Sequence, residues 1–211
     1  LASEIGEDDV SVSADYVLDA TETGELLPLS GAEYVTGFES RADTGEPSAP
    51  EEAQPSNVQA LSICFAIEHV EGDHTIDRPA DYDFWSEYAP AAWQGSRMLS
   101  WSAPNPRTLE MTSRAFDPNP GDDALAVDAD QSRNAGDTNL WTFRRIAARD
   151  LFAPEFYASD ICLVNWPSID YFLEPVLDVS REEELAHYER ARQLSLSMLY
   201  WMQTEAPRAD G

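Results

Sequence analysis

Short apolar runs separated by polar, Pro- and Gly-rich stretches fill most of the chain. Tyr16-Val17-Leu18, bounded by Asp15 and Asp19, is β-branched and aromatic and predicts a buried strand. A weaker alternation over Leu1 to Val12 leads into it, and Glu33 to Gly37 predicts a further strand. Between them Asp19 to Gly24 holds small and capping residues, and Glu25 to Leu29 predicts one short helical turn. The stretch Phe38 to Asn57, rich in Glu, Ser, Pro, Ala and Gly, predicts a loop. Val58 to Glu68 is a continuous apolar run whose Val, Ile and Phe fit a central strand better than a helix. His69 to Pro79 is polar and turn-rich. Tyr82 to Tyr88 is an aromatic cluster predicting a short helix or an irregular packed segment, and Leu99 to Trp101 a further strand.

Asn105 to Asn139 is rich in Pro, Gly and Asp and predicts a long irregular excursion. Thr138 to Ile146 alternates and reads as a strand, as does Ile161 to Trp166, which Pro167 stops. Ser180 opens the clearest helix: Ser180-x-x-Glu183 is a capping box, with three acids in the first turn. Its first half is amphipathic, which leaves His187 on a solvated face. From Leu194 to Met202 apolar residues lie all round, so that half must be enclosed by protein, and Pro207 ends the helix.

Composition narrows the function. The 211 residues hold 40 acids against 13 basic residues, all of them Arg, for a net charge of −27. Nucleic acid and anionic membranes are thereby poor partners, since both are bound by positive charge. Self-repulsion on this scale fits a salt-rich cytoplasm. No apolar run approaches the roughly 18 residues of a membrane span. Cys64 and Cys162 lack a CxxC partner and read as two buried free thiols. His69, His74 and His187 show no metal-ligand spacing, so no metal is expected. The ten glycines contain no GxGxxG, so the turn that admits a dinucleotide diphosphate is missing. Arg144-Arg145 is the basic doublet of an acidic chain, one member suited to an anionic substrate group and the other to surface acids.

Ligands of open α/β sheets sit beyond the carboxyl ends of strands, which makes the Asp19–Gly24 turn the place for a cofactor. The blocks Asp19-Ala20-Thr21-Glu22-x-Gly24-Glu25-Leu26, Gly31-x-x-Tyr34-x-x-Gly37-x-Glu39-Ser40 and Gly45-Glu46-Pro47 resemble FAD-dependent oxidoreductases distantly related to fumarate reductase and succinate dehydrogenase flavoproteins. The resemblance continues through Asp81-Tyr82-Asp83-Phe84-Trp85 and Leu163-Val164-Asn165-Trp166-Pro167-x-x-Asp170-Tyr171 to Tyr200-Trp201-x-Gln203-Thr204-Glu205-Ala206-Pro207-Arg208.

It implies FAD as cofactor, with Ala20, Thr21, Glu22 and Gly24 against it, and a small-molecule substrate exchanging a hydride with the flavin. His74, Arg144, Asn165 and Tyr171 are the expected substrate contacts. The implied fold is α+β: part of a Rossmann-like FAD domain (1–57), a β-rich substrate domain (58–178) and a long buried helix returning to the FAD domain (179–211). The N-terminal FAD-binding half is expected to lie outside this chain, leaving it an internal portion inactive alone. Two alternatives come from other classes. One is a non-catalytic acidic module binding carbohydrate or a partner through an exposed line of Trp85, Trp93 and Trp101. The other is an acid-base glycoside hydrolase with carboxylates facing across a groove.

Overall fold

The computed structural model describes residues 11–118 and 139–208. The chain divides into two compact units, Leu1–Val58 and Gln59–Gly211.

In the first unit, helix α1 (Leu26–Ser30) is the expected helical turn, closed by Gly31 in the left-handed region with its N–H on the Pro28 carbonyl. The expected 38–57 loop is present and tightly tied. It contains a four-residue helix, α2 (Arg41–Thr44), which Ser40 caps by accepting from the Asp43 N–H. Phe38 and Gln54 exchange both backbone hydrogen bonds, at 3.0 and 2.8 Å. The bridge explains Gly37: at φ +72° a Cβ there would lie 2.2 Å from the Gln54 carbonyl oxygen.

Two expected strands of this unit are not formed. Tyr16, Val17 and Leu18 are 90%, 74% and 91% exposed and irregular, and residues 33–37 are irregular as well. Strand-like sequence becomes strand only by joining a sheet, and neither run is a strand of any sheet among the described residues. The weak alternation ahead of residue 11 lies outside the described residues.

Among the described residues the second unit carries all the sheet. Strand β1 (Leu61–Ser62) and β2 (Phe65–Glu68) replace the single central strand expected over 58–68. The run breaks because the Ile63 carbonyl accepts from the Ser195 hydroxyl at 2.7 Å, and the chain then changes sheet. Helix α3 (Tyr82–Glu87) realises the aromatic cluster, burying Tyr82 and Trp85. Leu99 to Trp101 is a bend rather than a strand, and pairing starts one residue later in the hairpin of β3 (Ser102–Pro104) and β4 (Met111–Ser113). That hairpin gives the 105–139 excursion some regular structure; its residues 119–138 lie outside the described set.

The strand expected over 138–146 is instead helix α4 (Leu140–Phe143) followed by β5 (Arg145–Ala147). Asn139 caps the helix, accepting from the Trp141 N–H at 3.1 Å. Consecutive Leu140 and Trp141 are then both buried, which strand alternation forbids.

β6 (Ile161–Val164) forms as expected and is the central strand of the antiparallel order β2-β6-β5, so β2 is an edge. β7 (Asp170–Tyr171) pairs with β1, Leu61 opposite Tyr171. Helix α5 (Arg181–Thr204) carries the complete capping box at Ser180 and Glu183. It packs on α3, β1, β7 and the 167–169 turn. The half expected to be enclosed buries Leu194 and Met198 completely and Trp201 to 8% exposure. The core of the unit joins these to Trp85, Trp141, Trp166, Val164 and Tyr171. Helices and strands together make the chain α+β. Among the described residues no helix is long and apolar enough to cross a membrane.

Candidate functional site

The turn expected to meet the cofactor is held by its own side chains. Asp19 accepts from the Thr21 N–H at 2.9 Å, the Thr21 hydroxyl at 2.7 Å and the Leu26 N–H at 3.2 Å. The Thr21 hydroxyl in turn accepts from the Glu25 N–H at 3.0 Å. Hydrogen bonds from Thr21 hold the Asp19 and Glu25 carboxyls below their ordinary range. Gly24 sits at φ +68°, and Ala20 and Glu22 are exposed. Glu22 takes no part in the network; Asp19 and Thr21 do the capping.

A dinucleotide diphosphate requires free backbone donors. Here the N–H groups of Thr21, Glu25 and Leu26 are already bound, and two carboxylates stand among them. The donor set of this turn therefore does not fit a diphosphate.

The four expected substrate contacts are divided by the fold. His74 is an exposed loop residue whose ring Nε2 lies 2.9 Å from the Glu71 carbonyl and whose own carbonyl accepts from Gln203 at 2.8 Å. Tyr171 is buried, its hydroxyl 3.4 Å from His187 Nδ1, and burial pushes its pKa up. His187 is thus half-buried against Tyr171 rather than simply solvated. His187 and Gln203 are about 24 Å apart along α5 at the usual helical rise, so His74 and Tyr171 belong to opposite ends of that helix.

Arg144 and Asn165 flank one end of β6: the Leu163 N–H donates to the Arg144 carbonyl at 2.8 Å, and Asn165 continues the same strand. The doublet divides its work. Arg145 pairs with Asp160 at 2.9 Å in a largely buried bridge, with side chains 9% and 19% exposed. Arg144 lies over the Phe143 ring, 4.8 Å from its centroid, with a buried Nε that has no hydrogen-bond partner.

Asp170, beside Tyr171, belongs to a block of the family resemblance but received no role from it. Its carboxylate accepts from the Ser62 hydroxyl; burial raises its pKa, while that hydrogen bond and the charge of Arg144 lower it. Among the described residues it is the one acid shifted upward. The sequence signal was slight, one Asp among 40 acids, and only its position in β7 distinguishes it.

Two hollows open in the second unit, with Trp101 in the lining of both. Trp101 stacks on Phe116 (centroids 5.0 Å apart, planes 8° apart) and meets Trp166 and Trp201 edge-on. One hollow is an open cleft lined by Trp101, Phe116, Met202, Gln203, His69 and Asp117, among others. The other, smaller at about 70 Å³, lies between the β3–β4 hairpin and the 166–168 segment.

These features bear on the alternatives. Trp85 and Trp93 are buried, so the exposed Trp line of a carbohydrate-binding module is absent. Among the described residues neither hollow has two lining carboxylates, as a glycosidase groove requires. Among the described residues no three His, Cys, Asp or Glu side chains group as a metal site.

No curated protein and no solved structure matches the chain significantly. The model of the family described as FAD dependent oxidoreductase matches residues 2–210, nearly the entire length. The chain therefore belongs to the FAD-dependent oxidoreductases, a family whose cofactor is FAD.

Proposed function

We propose that the chain is a portion of a flavoenzyme that exchanges a hydride between an organic small molecule and FAD, distantly related to the fumarate reductase and succinate dehydrogenase flavoproteins. The observation that carries this reading is the family match over residues 2–210. Residues 1–57 are proposed as part of a Rossmann-like FAD domain and 58–178 as the substrate domain, with the 179–211 segment completing the structure. The diphosphate is held by residues outside this chain. Two observations support that division: the donors of the Asp19–Leu26 turn are bound internally, and Tyr16-Val17-Leu18 is strand sequence lying exposed without a sheet.

Ala20, Thr21, Glu22 and Gly24 are our proposed approach to the uncharged parts of the cofactor. Arg144, Asn165 and Tyr171 are our proposed substrate contacts, supported by the shared surroundings of β6 and β7; His74 is retained as a contact from its loop. The working environment is proposed to be a salt-rich cytoplasm, on the strength of the net charge.

Flavin retention tests this reading. The 211-residue chain purified alone is expected to be colourless, and the chain extended by what its gene encodes upstream to be yellow. Stoichiometric flavin on the chain alone would overturn the division of the site. A colourless extended protein that also fails to take up added FAD would overturn the flavoenzyme reading itself.

A further inference from the structure

The smaller hollow differs in charge from the rest of the molecule. Nearly one residue in five of this chain is Asp or Glu, yet among the described residues none of the thirteen lining the hollow is acidic, and one of them is Arg114. Six arginines of the described residues form ion pairs with carboxylates, and Arg114 is not among them. Its guanidinium instead lies 5.4 Å from the centroid of Phe143, the same ring that Arg144 covers at 4.8 Å. The two guanidinium carbons are therefore within about 10 Å of each other.

Arg144 has the Asp170 carboxylate in its field, so the cost of holding a cation without an ion pair, in a molecule that has carboxylates to spare, falls on Arg114. The ring faces offset part of that cost. An anion entering from outside would offset the rest.

The other walls specify what kind of anion. Trp101, Trp166 and Leu140 supply apolar and aromatic surface, while the Thr112 and Ser168 hydroxyls already donate to the Ala103 and Ser100 carbonyls. Trp166 is 3% exposed, and its indole N–H has no hydrogen-bond partner. A guanidinium without a carboxylate and flat apolar walls form a complementary set for an organic oxyanion with a planar or apolar body.

We infer that the hollow between the β3–β4 hairpin and the 166–168 segment binds a small organic oxyanion, a carboxylate or a phosphate ester. Arg114 is the countercharge, and Trp101 and Trp166 hold the apolar body. The site stands on the second unit alone, whatever reaction the whole enzyme performs.

Binding to the full 211-residue chain tests this at fixed ionic strength, by calorimetry and by quenching of tryptophan fluorescence. The probes are benzoate, phenyl phosphate and the neutral benzamide. One of the two anions is expected to bind at least about tenfold more tightly than benzamide, and which one it is identifies the oxyanion. Arg114→Gln is expected to weaken that anion by about tenfold or more, the loss of a charge-assisted pair. Arg149→Gln removes the same charge from an exposed arginine that does not line the hollow, and is expected to leave binding within about twofold.

Melting curves report whether each variant folds. If Arg114→Gln does not, Arg114→Lys, which keeps the charge but loses the planar fork, is expected to bind the anion more weakly than the parent. Equal binding of benzamide and both anions, or parental anion binding by a folded Arg114 variant, would overturn the inference.

Discussion

Cys64 lies exposed in the break between β1 and β2, whereas Cys162 is fully buried in β6 with its thiol 3.8 Å from the Leu140 carbonyl. Burial pushes the Cys162 pKa up to about 12, against a smaller lowering by Arg144. Since the thiolate is the reactive form, iodoacetamide at pH 8 should label the native chain once, at Cys64, and twice in denaturant. Equal labelling of both cysteines in the native protein would contradict the packing of β6. Asp170 gives a second test with an unusual sign. Its folded pKa is raised above the ordinary 3.8, mainly by burial, so it stabilises the fold while protonated. That contribution is lost as pH rises through the folded value. Asp170→Asn keeps an acceptor for Ser62, so its urea midpoint should gain on the parent's as pH is raised from below 3.8 toward neutrality. A constant difference across that range would mean the carboxylate is not penalised by burial.

Among the elements, α5 separates local from tertiary contributions. Its capping box is a local device: Ser180 accepts from the Glu183 N–H, and the Glu183 carboxylate accepts from the Ser180 N–H. Ser180→Ala should cost about 1 kcal/mol, the usual worth of an N-cap. Leu194 is completely buried under the sheet, and Leu194→Ala should cost about 2–5 kcal/mol through lost burial and the cavity left behind. Chemical denaturation of both variants checks the ranking, and a cap loss larger than the core loss would refute it. The same distinction explains which elements could be read in advance. Helix α5 and strand β6 announce themselves through a cap, a long periodic run and a stopping proline. α4 does not, because TNLWTFRRI alternates like a strand, and only the Asn139 cap with a core receiving both Leu140 and Trp141 makes it helical.

For the whole molecule, charge dominates. Six ion pairs among the described residues neutralise few of the 40 acids, and five of those pairs have at least one half-exposed partner, where such bridges contribute little. Carboxylate repulsion is screened over about 10 Å at 0.1 M salt and about 3 Å at 1 M. Added KCl should therefore stabilise the fold. A gain of about 2 kcal/mol would raise Tm by roughly 4–8 °C for a chain of this size. A Tm that stays flat or falls between 0.1 M and 1 M KCl would show that repulsion is not a significant term.

Family, cofactor and the α+β class were all within reach of the sequence, because they depend on blocks such as Asp19-Ala20-Thr21-Glu22 and on periodicities that local chemistry enforces. So were the missing glycine turn and the long C-terminal helix. What the sequence could not supply was pairing. Tyr16 to Leu18 has the residues of a strand but no neighbour among the described residues, and Val58 to Glu68 is divided between two sheets by a helix serine more than a hundred residues away. The expected substrate contacts were chosen one at a time, and the fold sets His74 and Tyr171 at opposite ends of α5. Arg114 carries no sequence signal at all. Its significance arises when the hairpin returns it to Phe143 and Arg144 beside a hollow without acids, a juxtaposition of distant segments that only tertiary structure creates.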